Sequence, residues 1–231
     1  DEDRYQRVHR VLRRYDEHLT EAERDFLKVF SVFRTPVHRS AFETVFRNTG
    51  LSDYATNRLP DRELDTLIQR LVTYRILRYN QHNDTYTTHP LIRNHYFALF
   101  TRGDADAAQA THAQIKDYYL ELAGDTPRFP TLDDLRPLIE VVHHACRAGA
   151  YDEAWDIYWQ RIQQQSSFVL TAKIGAWETD LVILYEFFPR APEGAPDLTA
   201  DPQVSDPRFR RWILNEVGLC LMSLGRLREA V

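Results

Sequence analysis

The feature that most constrains the fold is a single stretch rich in β-branched and aromatic residues, within a chain whose apolar residues otherwise recur at helical spacing. The flanks "RILRY" (75–79) and "TYTTH" (85–89) enclose the polar turn "NQHND" (80–84). Flanks of this kind around a polar turn predict one β-hairpin. A chain with one predicted hairpin and many amphipathic helices belongs to the mainly α class.

Three amphipathic helices are predicted ahead of the hairpin, at 20–34, 39–50 and 60–74. The first begins with Thr20 as N-cap and has Glu23 at the capping-box position. The third carries its apolar residues on one face: Leu64, Leu67, Ile68 and Leu71. Three helices followed by a two-stranded wing are the winged-helix pattern, which we expect over residues 19–102.

From about residue 104 the pattern is helical alone, with helices predicted within 104–125, 132–162, 176–188 and 212–231. Two stretches share a skeleton at an offset of 76 residues: Leu138, Val141, Val142, Gly149, Tyr151 and Ala154 correspond to Leu214, Val217, Gly218, Gly225, Leu227 and Ala230. Glycine at the turn lets the chain reverse, and alanine in the second helix lets paired helices approach closely.

This skeleton resembles the tetratricopeptide repeat (TPR), so residues 104–231 are predicted to form TPR-like helical repeats. The array is irregular because the proline-rich segment 189–207, expected to be an exposed loop, interrupts it. Each TPR unit buries its apolar face against the next. Because the last predicted helix is cut at Val231, we expect the native array to continue into further units.

The net charge and the distribution of basic residues indicate which class of partner the chain is expected to bind. The net charge is −5, and the 26 arginines and 3 lysines are spread through the chain, which disfavours a nucleic-acid binder. The exception is "RYQRVHRVLRRY" (4–15), within residues 1–18, which we interpret as the end of an upstream helical segment. Its arginines form either a solvated basic face or an arm that docks on an acidic partner or on another domain.

Cellular context is also predicted from the sequence. No apolar run approaches the roughly 18 residues of a membrane-spanning helix. Cys146 and Cys220 lie on separate predicted helices, and we predict no metal or redox pair for them. A cytoplasmic location is therefore expected. Because residue Asp1 is not a translation start, we interpret the chain as part of a longer polypeptide.

No catalytic constellation is evident in the sequence. The glycines open no G-x-x-x-x-G-K-[ST] phosphate-binding loop, and no G-x-S-x-G elbow occurs. No Cys/His cluster has zinc spacing, so no metal ligands are predicted. The adjacent His143 and His144 point about 100° apart on a helix, and we expect one to be packed and the other solvated. The chain is accordingly predicted not to be an enzyme.

His89 is the one candidate binding residue. It lies in "DTYTTHPLIRNHY" (84–96), between the predicted hairpin and a helix that begins at Pro90. The first N–H groups of a helix are unpaired and attract anions. His89 is therefore either a helix cap without further function or a contact to phosphate.

A winged helix also raises the hypothesis of DNA binding through its third helix. The predicted solvent-side residues of that helix carry a net charge of −1: Asp61, Arg62, Glu63, Asp65, Thr66, Gln69 and Arg70. The tip of the wing adds no arginine cluster. Since phosphate neutralisation dominates DNA affinity, we do not expect this domain to bind DNA.

The segments "TEAERDFLKVFSVFRTPV" (20–37) and "HPLIRNHYF" (89–97), followed by helical repeats, resemble the STAND class of signalling NTPases, the NB-ARC and NACHT relatives. In that family the winged helix packs on the nucleotide-binding domain, and the histidine of a Met-His-Asp motif contacts the β-phosphate of bound ADP. His89 occupies that place, whereas Thr88 and Pro90 replace the flanking Met and Asp. The second segment resembles the bacterial form.

The resemblance implies the regulatory, sensor-side portion of a STAND NTPase. It implies a P-loop domain upstream of Asp1 in the same chain, which binds ADP or ATP with Mg, while this portion carries no cofactor of its own. It also implies a protein, peptide or other ligand on the TPR groove, with oligomerisation as a route of activation. Two alternatives remain: a free-standing TPR adaptor for protein–protein interaction, and a DNA-binding transcription regulator with a TPR effector domain.

Overall fold

The fold is that of a computed structural model, which describes residues 16–46, 54–191 and 194–228. The chain is mainly helical with one small three-stranded sheet, as the sequence predicts for its fold class. It divides into two compact units, residues 1–114 and 115–231. The predicted upstream segment lies largely outside the described residues, since only Asp16 onward is included.

Within the described residues, the first unit contains four helices with both ends defined and the three strands of the sheet. The helices are α1 (Glu21–Phe30), α2 (Arg39–Thr44), α3 (Asp61–Thr73) and α4 (Pro90–Gly103), with a 3-10 turn at Ala55–Arg58. The strands are β1 (Val37–His38), β2 (Leu77–Asn80) and β3 (Thr85–Thr88). The three predicted helices and the hairpin are thus confirmed in existence and order, but two helices are shorter than predicted: α1 ends at Phe30, four residues early, and α2 ends at Thr44, six residues early. Gly50, at the predicted end of the second helix, lies outside the described residues.

Strand β3 is the centre of an antiparallel sheet with the order β1-β3-β2. Val37 pairs with Tyr86 on one side, and Tyr79 pairs with the same residue on the other. Sequence reasoning missed β1 because two residues are too short to show an alternating pattern. The hairpin therefore has a third strand that covers one edge.

Aromatic side chains fill the core of the first unit. The ring of Phe26 stacks on Phe46 at 4.7 Å between centroids and meets Phe42 edge-on at 5.4 Å. Phe42 also lies 5.2 Å from Tyr86 on the central strand. Helix α3 closes this core with the four residues predicted for its apolar face, Leu64, Leu67, Ile68 and Leu71, all of which are buried. The contacts join α1, α2, α3 and the sheet into one core.

Helix α1 begins as its sequence predicts. The hydroxyl of Thr20 accepts a hydrogen bond from the Glu23 amide at 3.3 Å, and the Glu23 carboxylate accepts one from the Thr20 amide at 2.7 Å. This reciprocal capping box satisfies two N–H groups that a helix start leaves unpaired. Glu23 is also 3.2 Å from the guanidinium of Arg70 on α3, which ties the two helices together.

Helices dominate the second unit. Helix α5 (Ala105–Ala123) crosses the boundary between units, and it is followed by α6 (Leu132–Arg147), α7 (Tyr151–Ile157), α8 (Trp177–Leu184) and α9 (Pro207–Ser223). A π-helical stretch, Tyr158–Ile162, continues α7, and a second one spans Val169–Ile174. Two 3-10 turns lie at Gln165–Ser167 and Tyr185–Phe187. In the described part of the chain, no helix combines the length and hydropathy that crossing a membrane requires.

The 76-residue offset has a local structural counterpart at two helix ends. Gly149 after α6 has φ 81°, and Gly225 after α9 has φ 72°. The residue after each glycine donates its N–H to a carbonyl five residues earlier, from Ala150 to Ala145 at 2.9 Å and from Arg226 to Leu221 at 2.8 Å. Both helices therefore end in the same left-handed cap, which glycine adopts without steric cost.

The proline-rich segment 189–207 contains no helix in its described residues before Pro207, where α9 begins, but it is not uniformly exposed. Val204 is fully buried in the hydrophobic core of the second unit. The Gln203 amide donates to the Phe187 carbonyl at 2.8 Å, and the Ser205 amide donates to Asp152 at 2.8 Å. The expectation of an exposed loop was wrong for this part, because the apolar Val204 anchors the segment.

A buried carboxylate, Glu186, is held by basic side chains. Its two oxygens lie 2.9 Å from His143, 2.6 Å from Arg190 and 3.5 Å from Arg147. Burial by itself would raise the pKa of Glu186. The hydrogen bond and charge of His143, together with the two arginines, outweigh that effect and lower the pKa to about 2.

The low pKa predicts a specific loss of stability in acid. The folded state retains the Glu186 carboxylate down to about pH 2, whereas the unfolded chain takes up a proton near 4.5. The contribution is complete above pH 4.5 and declines as the pH falls toward 2. It amounts to at most about 3 kcal/mol. Urea titrations followed by fluorescence of the four tryptophans, all in the second unit, measure it.

Glu186→Gln should lower the free energy of unfolding at pH 6 and flatten its dependence on pH between 4.5 and 2. The matched control is Glu178→Gln, which changes an exposed glutamate on α8 and should preserve the wild-type profile. Parallel profiles for Glu186→Gln and the wild type would show that the ion cluster does not stabilise the fold.

Candidate functional site

His89 lies between the last residue of β3 and the first residue of α4. Its Nδ1 accepts a hydrogen bond from the Leu91 amide at 3.2 Å, so the side chain is the N-cap of α4. Pro90 occupies the first helical position, where its missing N–H costs nothing and its fixed φ suits the helix. The capping role that the sequence raised for His89 is therefore present.

The cap also determines what His89 can offer to a ligand. A nitrogen that accepts a hydrogen bond carries no proton, so the neutral imidazole carries its proton on Nε2. The side chain is exposed, and Nε2 has no hydrogen-bond partner within the described residues. Capping and ligand binding are thus compatible, because they use different nitrogens of one ring.

A small pocket lies beside the same helix start. It has a volume of about 140 Å³ and is lined by Phe30, Phe33, Arg34, Thr35, Pro36, Thr87, Thr88, Pro90 and Arg93. Small-molecule sites usually enclose about 300–1,000 Å³. The pocket could therefore admit a phosphate-sized group, but it is too small to enclose a whole nucleotide.

Two arginines make the surroundings of this pocket electropositive. Arg93, one turn into α4, donates from Nη1 to the Arg34 carbonyl at 3.4 Å. The Thr88 hydroxyl donates to the Ile76 carbonyl at 2.7 Å, so it can only accept from a ligand. Arginine is the side chain best suited to phosphate, and the dipole of α4 adds positive potential at its start. The arrangement is chemically suited to an anion.

Sequence reasoning identified His89 but not Arg34 or Arg93. Arg93 follows His89 by four residues in "HPLIRNHYF", and Arg34 is 59 residues earlier than Arg93. With 26 arginines spread through the chain, no single one carries a signal. Only the fold brings the two arginines to one pocket.

The face of α3 that would read DNA has the predicted character. All seven of its predicted solvent-side residues are exposed: Asp61, Arg62, Glu63, Asp65, Thr66, Gln69 and Arg70. Asp65 pairs with Arg39, and Arg70 pairs with Glu23. These pairs reduce the positive charge available for phosphate on a face that is already acidic.

The expectation for His143 and His144 was wrong, because both are buried, with exposed fractions of 7% and 0%. Helix α6 is covered on two flanks. His143 lies against Glu186 at 2.9 Å, and the ring of His144 stacks on Tyr119 at 5.9 Å between centroids. The turn of α6 that contains the two histidines therefore has no solvated flank, which sequence spacing alone does not reveal.

Comparison of the chain with protein-family models, curated proteins and solved structures finds no match. The chemistry available at His89 is defined by three features of the structure: the cap on Nδ1, the exposed Nε2 and the two arginines of the adjacent pocket.

We predict that His89→Ala lowers the stability of the chain by about 0.5–2 kcal/mol, because the Leu91 amide loses its cap. His89→Asp should retain most of that stability, since a carboxylate accepts the same hydrogen bond and favours a helix N-terminus. Urea unfolding followed by far-UV circular dichroism measures both. His82→Ala, at the exposed turn of the hairpin, is the control and should match the wild type. An equal loss in His89→Ala and His89→Asp would contradict a capping contribution.

Proposed function

We propose that this chain is the regulatory, sensor-side portion of a STAND-type NTPase that acts in the cytoplasm. In this proposal residues 19–102 are a winged-helix domain, and the helices of residues 104–231 are TPR-like repeats. The observation that carries the proposal is His89, an exposed N-cap whose Nε2 has no hydrogen-bond partner among the described residues. It begins a helix whose first residue, Pro90, lines the pocket that also contains Arg34 and Arg93.

The winged-helix assignment is supported by the order and packing of the elements. Helices α1, α2 and α3 share one aromatic and aliphatic core, and the hairpin of β2 and β3 forms the wing. The TPR assignment is supported by the matching glycine caps at Gly149 and Gly225, 76 residues apart. Paired helices of this kind present grooves to peptides.

In the proposed mechanism, His89 reads the nucleotide and does not enclose it. A nucleotide-binding domain upstream in the same polypeptide holds ADP or ATP with Mg, and it presents the β-phosphate of ADP to this chain. His89 donates a hydrogen bond from Nε2 to that phosphate, and the arginines at the pocket supply positive potential. This contact favours the resting arrangement. No catalytic step is assigned to residues 1–231.

The balance between the resting and the active state of the full-length polypeptide then depends on two opposing contacts. The phosphate contact at His89 stabilises the resting state, and a protein or peptide ligand on the repeats stabilises the active one. A ligand shifts such an equilibrium only by its difference in affinity for the two states. The proposal therefore requires that the ligand bind the repeats more tightly when His89 has released the phosphate.

The test is the rate of ADP release from the full-length polypeptide. The expected loss of one charge-assisted hydrogen bond, about 1.5–3 kcal/mol, makes release of fluorescent ADP about 10- to 100-fold faster in His89→Ala. His89→Asp keeps the cap but has no donor and repels phosphate, so its release should be at least as fast. His82→Ala is the matched control and should release ADP at the wild-type rate.

Each contrary result points to a different conclusion. If His89→Asp releases ADP like the wild type, His89 only caps the helix and the sensor role is wrong. If the full-length polypeptide has no P-loop and binds no ADP, the chain is better described as a TPR adaptor. The two results are separated by measuring ADP binding before the release rate.

We also predict no sequence-specific DNA binding by this chain, because the exposed face of α3 is acidic and its Arg70 is paired with Glu23. Fluorescence anisotropy with random and selected duplexes at physiological salt measures it. Submicromolar binding that discriminates between duplexes would favour a transcription regulator instead.

A further inference from the structure

Three potential metal ligands meet between helices α8 and α9. Asp180 on α8 and Glu216 and Cys220 on α9 each offer one donor atom, and these atoms all lie within 4.8 Å of one another. The exposed fractions of the three residues are 0%, 4% and 0%. Because Glu216 and Cys220 are four residues apart on a helix, they share one face. We call these residues the Asp-Glu-Cys cluster.

The two oxygens of Asp180 have different surroundings. Oδ1 accepts a hydrogen bond from the Tyr158 hydroxyl at 2.9 Å and one from the Gln163 amide at 2.9 Å. Oδ2 lies 3.8 Å from the Cys220 sulfur. Partners on one oxygen fix the orientation of a carboxylate and leave the other oxygen to act as a ligand, as outer-shell groups do at metal sites.

Glu216 supplies the second, independent observation. Only 4% of the residue is exposed, and its carboxylate makes no hydrogen bond or ion pair with any described residue. An unpaired buried carboxylate costs several kcal/mol in proteins, and such groups are normally paired or bound to a metal. Glu216 nevertheless lies within reach of the other two donors, which gives it a place in a shared site.

The charge of the cluster is uncompensated within the described part of the chain. No lysine, arginine or histidine in that part of the chain forms an ion pair or a hydrogen bond with Asp180, Glu216 or Cys220. Either protons or a cation must supply the missing positive charge. This separates the cluster from Glu186, whose charge is met by arginines.

We propose that Asp180, Glu216 and Cys220 bind one divalent transition-metal ion of the zinc class. Mg²⁺ and Ca²⁺ prefer oxygen alone, whereas Zn²⁺ accepts thiolate and carboxylate together. Ligand distances of about 2.0 to 2.3 Å in a tetrahedron place neighbouring donors about 3.5 Å apart. The 3.8 Å between Asp180 Oδ2 and Cys220 Sγ is close to that spacing.

Metal binding at this cluster is an exchange of protons for a cation. Cys220 releases its thiol proton to solvent, either carboxyl group that is protonated does the same, and the ion forms bonds to one sulfur and two oxygens. Three protein ligands leave a fourth position of the tetrahedron for water. The bound ion would join α8 to α9 and, through Tyr158 and Gln163, the segment that follows α7.

This proposal departs from the sequence-based expectation that the chain has no metal ligands. The sequence gives no zinc spacing because Asp180 lies 36 residues before Glu216 and only the packing of α8 on α9 unites them. It does not depend on the function proposed for His89.

The test uses the whole chain after treatment with a chelator. Titration with Co²⁺ should give a thiolate-to-cobalt charge-transfer band that saturates at one ion per chain and disappears when Zn²⁺ is added. Cys220→Ala should abolish the band, and Glu216→Gln should weaken the affinity at least about tenfold. Cys146→Ala, which removes the other buried thiol, is the matched control and should behave as the wild type.

A measurement on the wild type alone keeps the test decisive even if a variant fails to fold. X-ray absorption at the zinc edge should show one sulfur at about 2.3 Å and oxygen ligands at about 2.0–2.2 Å. Absence of stoichiometric zinc binding, a spectrum without sulfur, or an undiminished cobalt band in folded Cys220→Ala would overturn the proposal. The Asp-Glu-Cys cluster would then hold protons in place of a metal.

Discussion

The pairing of strand β3 on both of its edges determines where the candidate site lies. Val37 and Tyr79 pair with the same residue from opposite sides, so β3 cannot shift in register without breaking two ladders. Its end is fixed by the hydrogen bond from Thr88 to Ile76, and Pro90 then cannot extend the strand. The position of His89 is therefore set by strand β3 before it and helix α4 after it, and does not depend on the hydrogen bond of its own side chain. A side chain held in this way is suited to reading a group that another domain presents.

Buried acids in the second unit are stabilised in two different ways. Glu186 is paired with His143 and with two arginines, which together lower its pKa, and its charge therefore contributes to stability at neutral pH. Asp180 has only neutral hydrogen-bond donors, and its carboxylate lies near that of Glu216. In the first arrangement, basic side chains of the protein itself balance the negative charge of the carboxylate. The second has no basic side chain among its described partners, which is the physical reason to look for a cation there and not at Glu186.

Local signals predicted much of the fold. The capping box of Thr20 and Glu23, the apolar face of α3 and the glycine at position 149 each depend on residues close in sequence, and each is observed. Features that depend on distant contacts were missed. Strand β1 has only two residues, and Val204 is buried in a segment whose composition is typical of an exposed loop. The candidate site shows the same difference. The sequence next to His89 predicted its place at a helix start, whereas no local pattern singled out Arg34 or Arg93.

The energetics of one histidine limit what the site can do alone. A charge-assisted hydrogen bond contributes about 1.5–3 kcal/mol. Reversing a two-state equilibrium from 1:99 to 99:1 requires about 5.5 kcal/mol. In the proposed mechanism His89 would therefore supply at most about half of a complete switch. The remainder would have to come from other groups that contact the nucleotide or from a ligand on the proposed repeats. Arg34 and Arg93, which line the adjacent pocket, are candidate sources of further phosphate affinity. Under the proposed mechanism a weak contact at His89 is an advantage, because a contact that supplied the whole free energy would hold the resting state against any ligand.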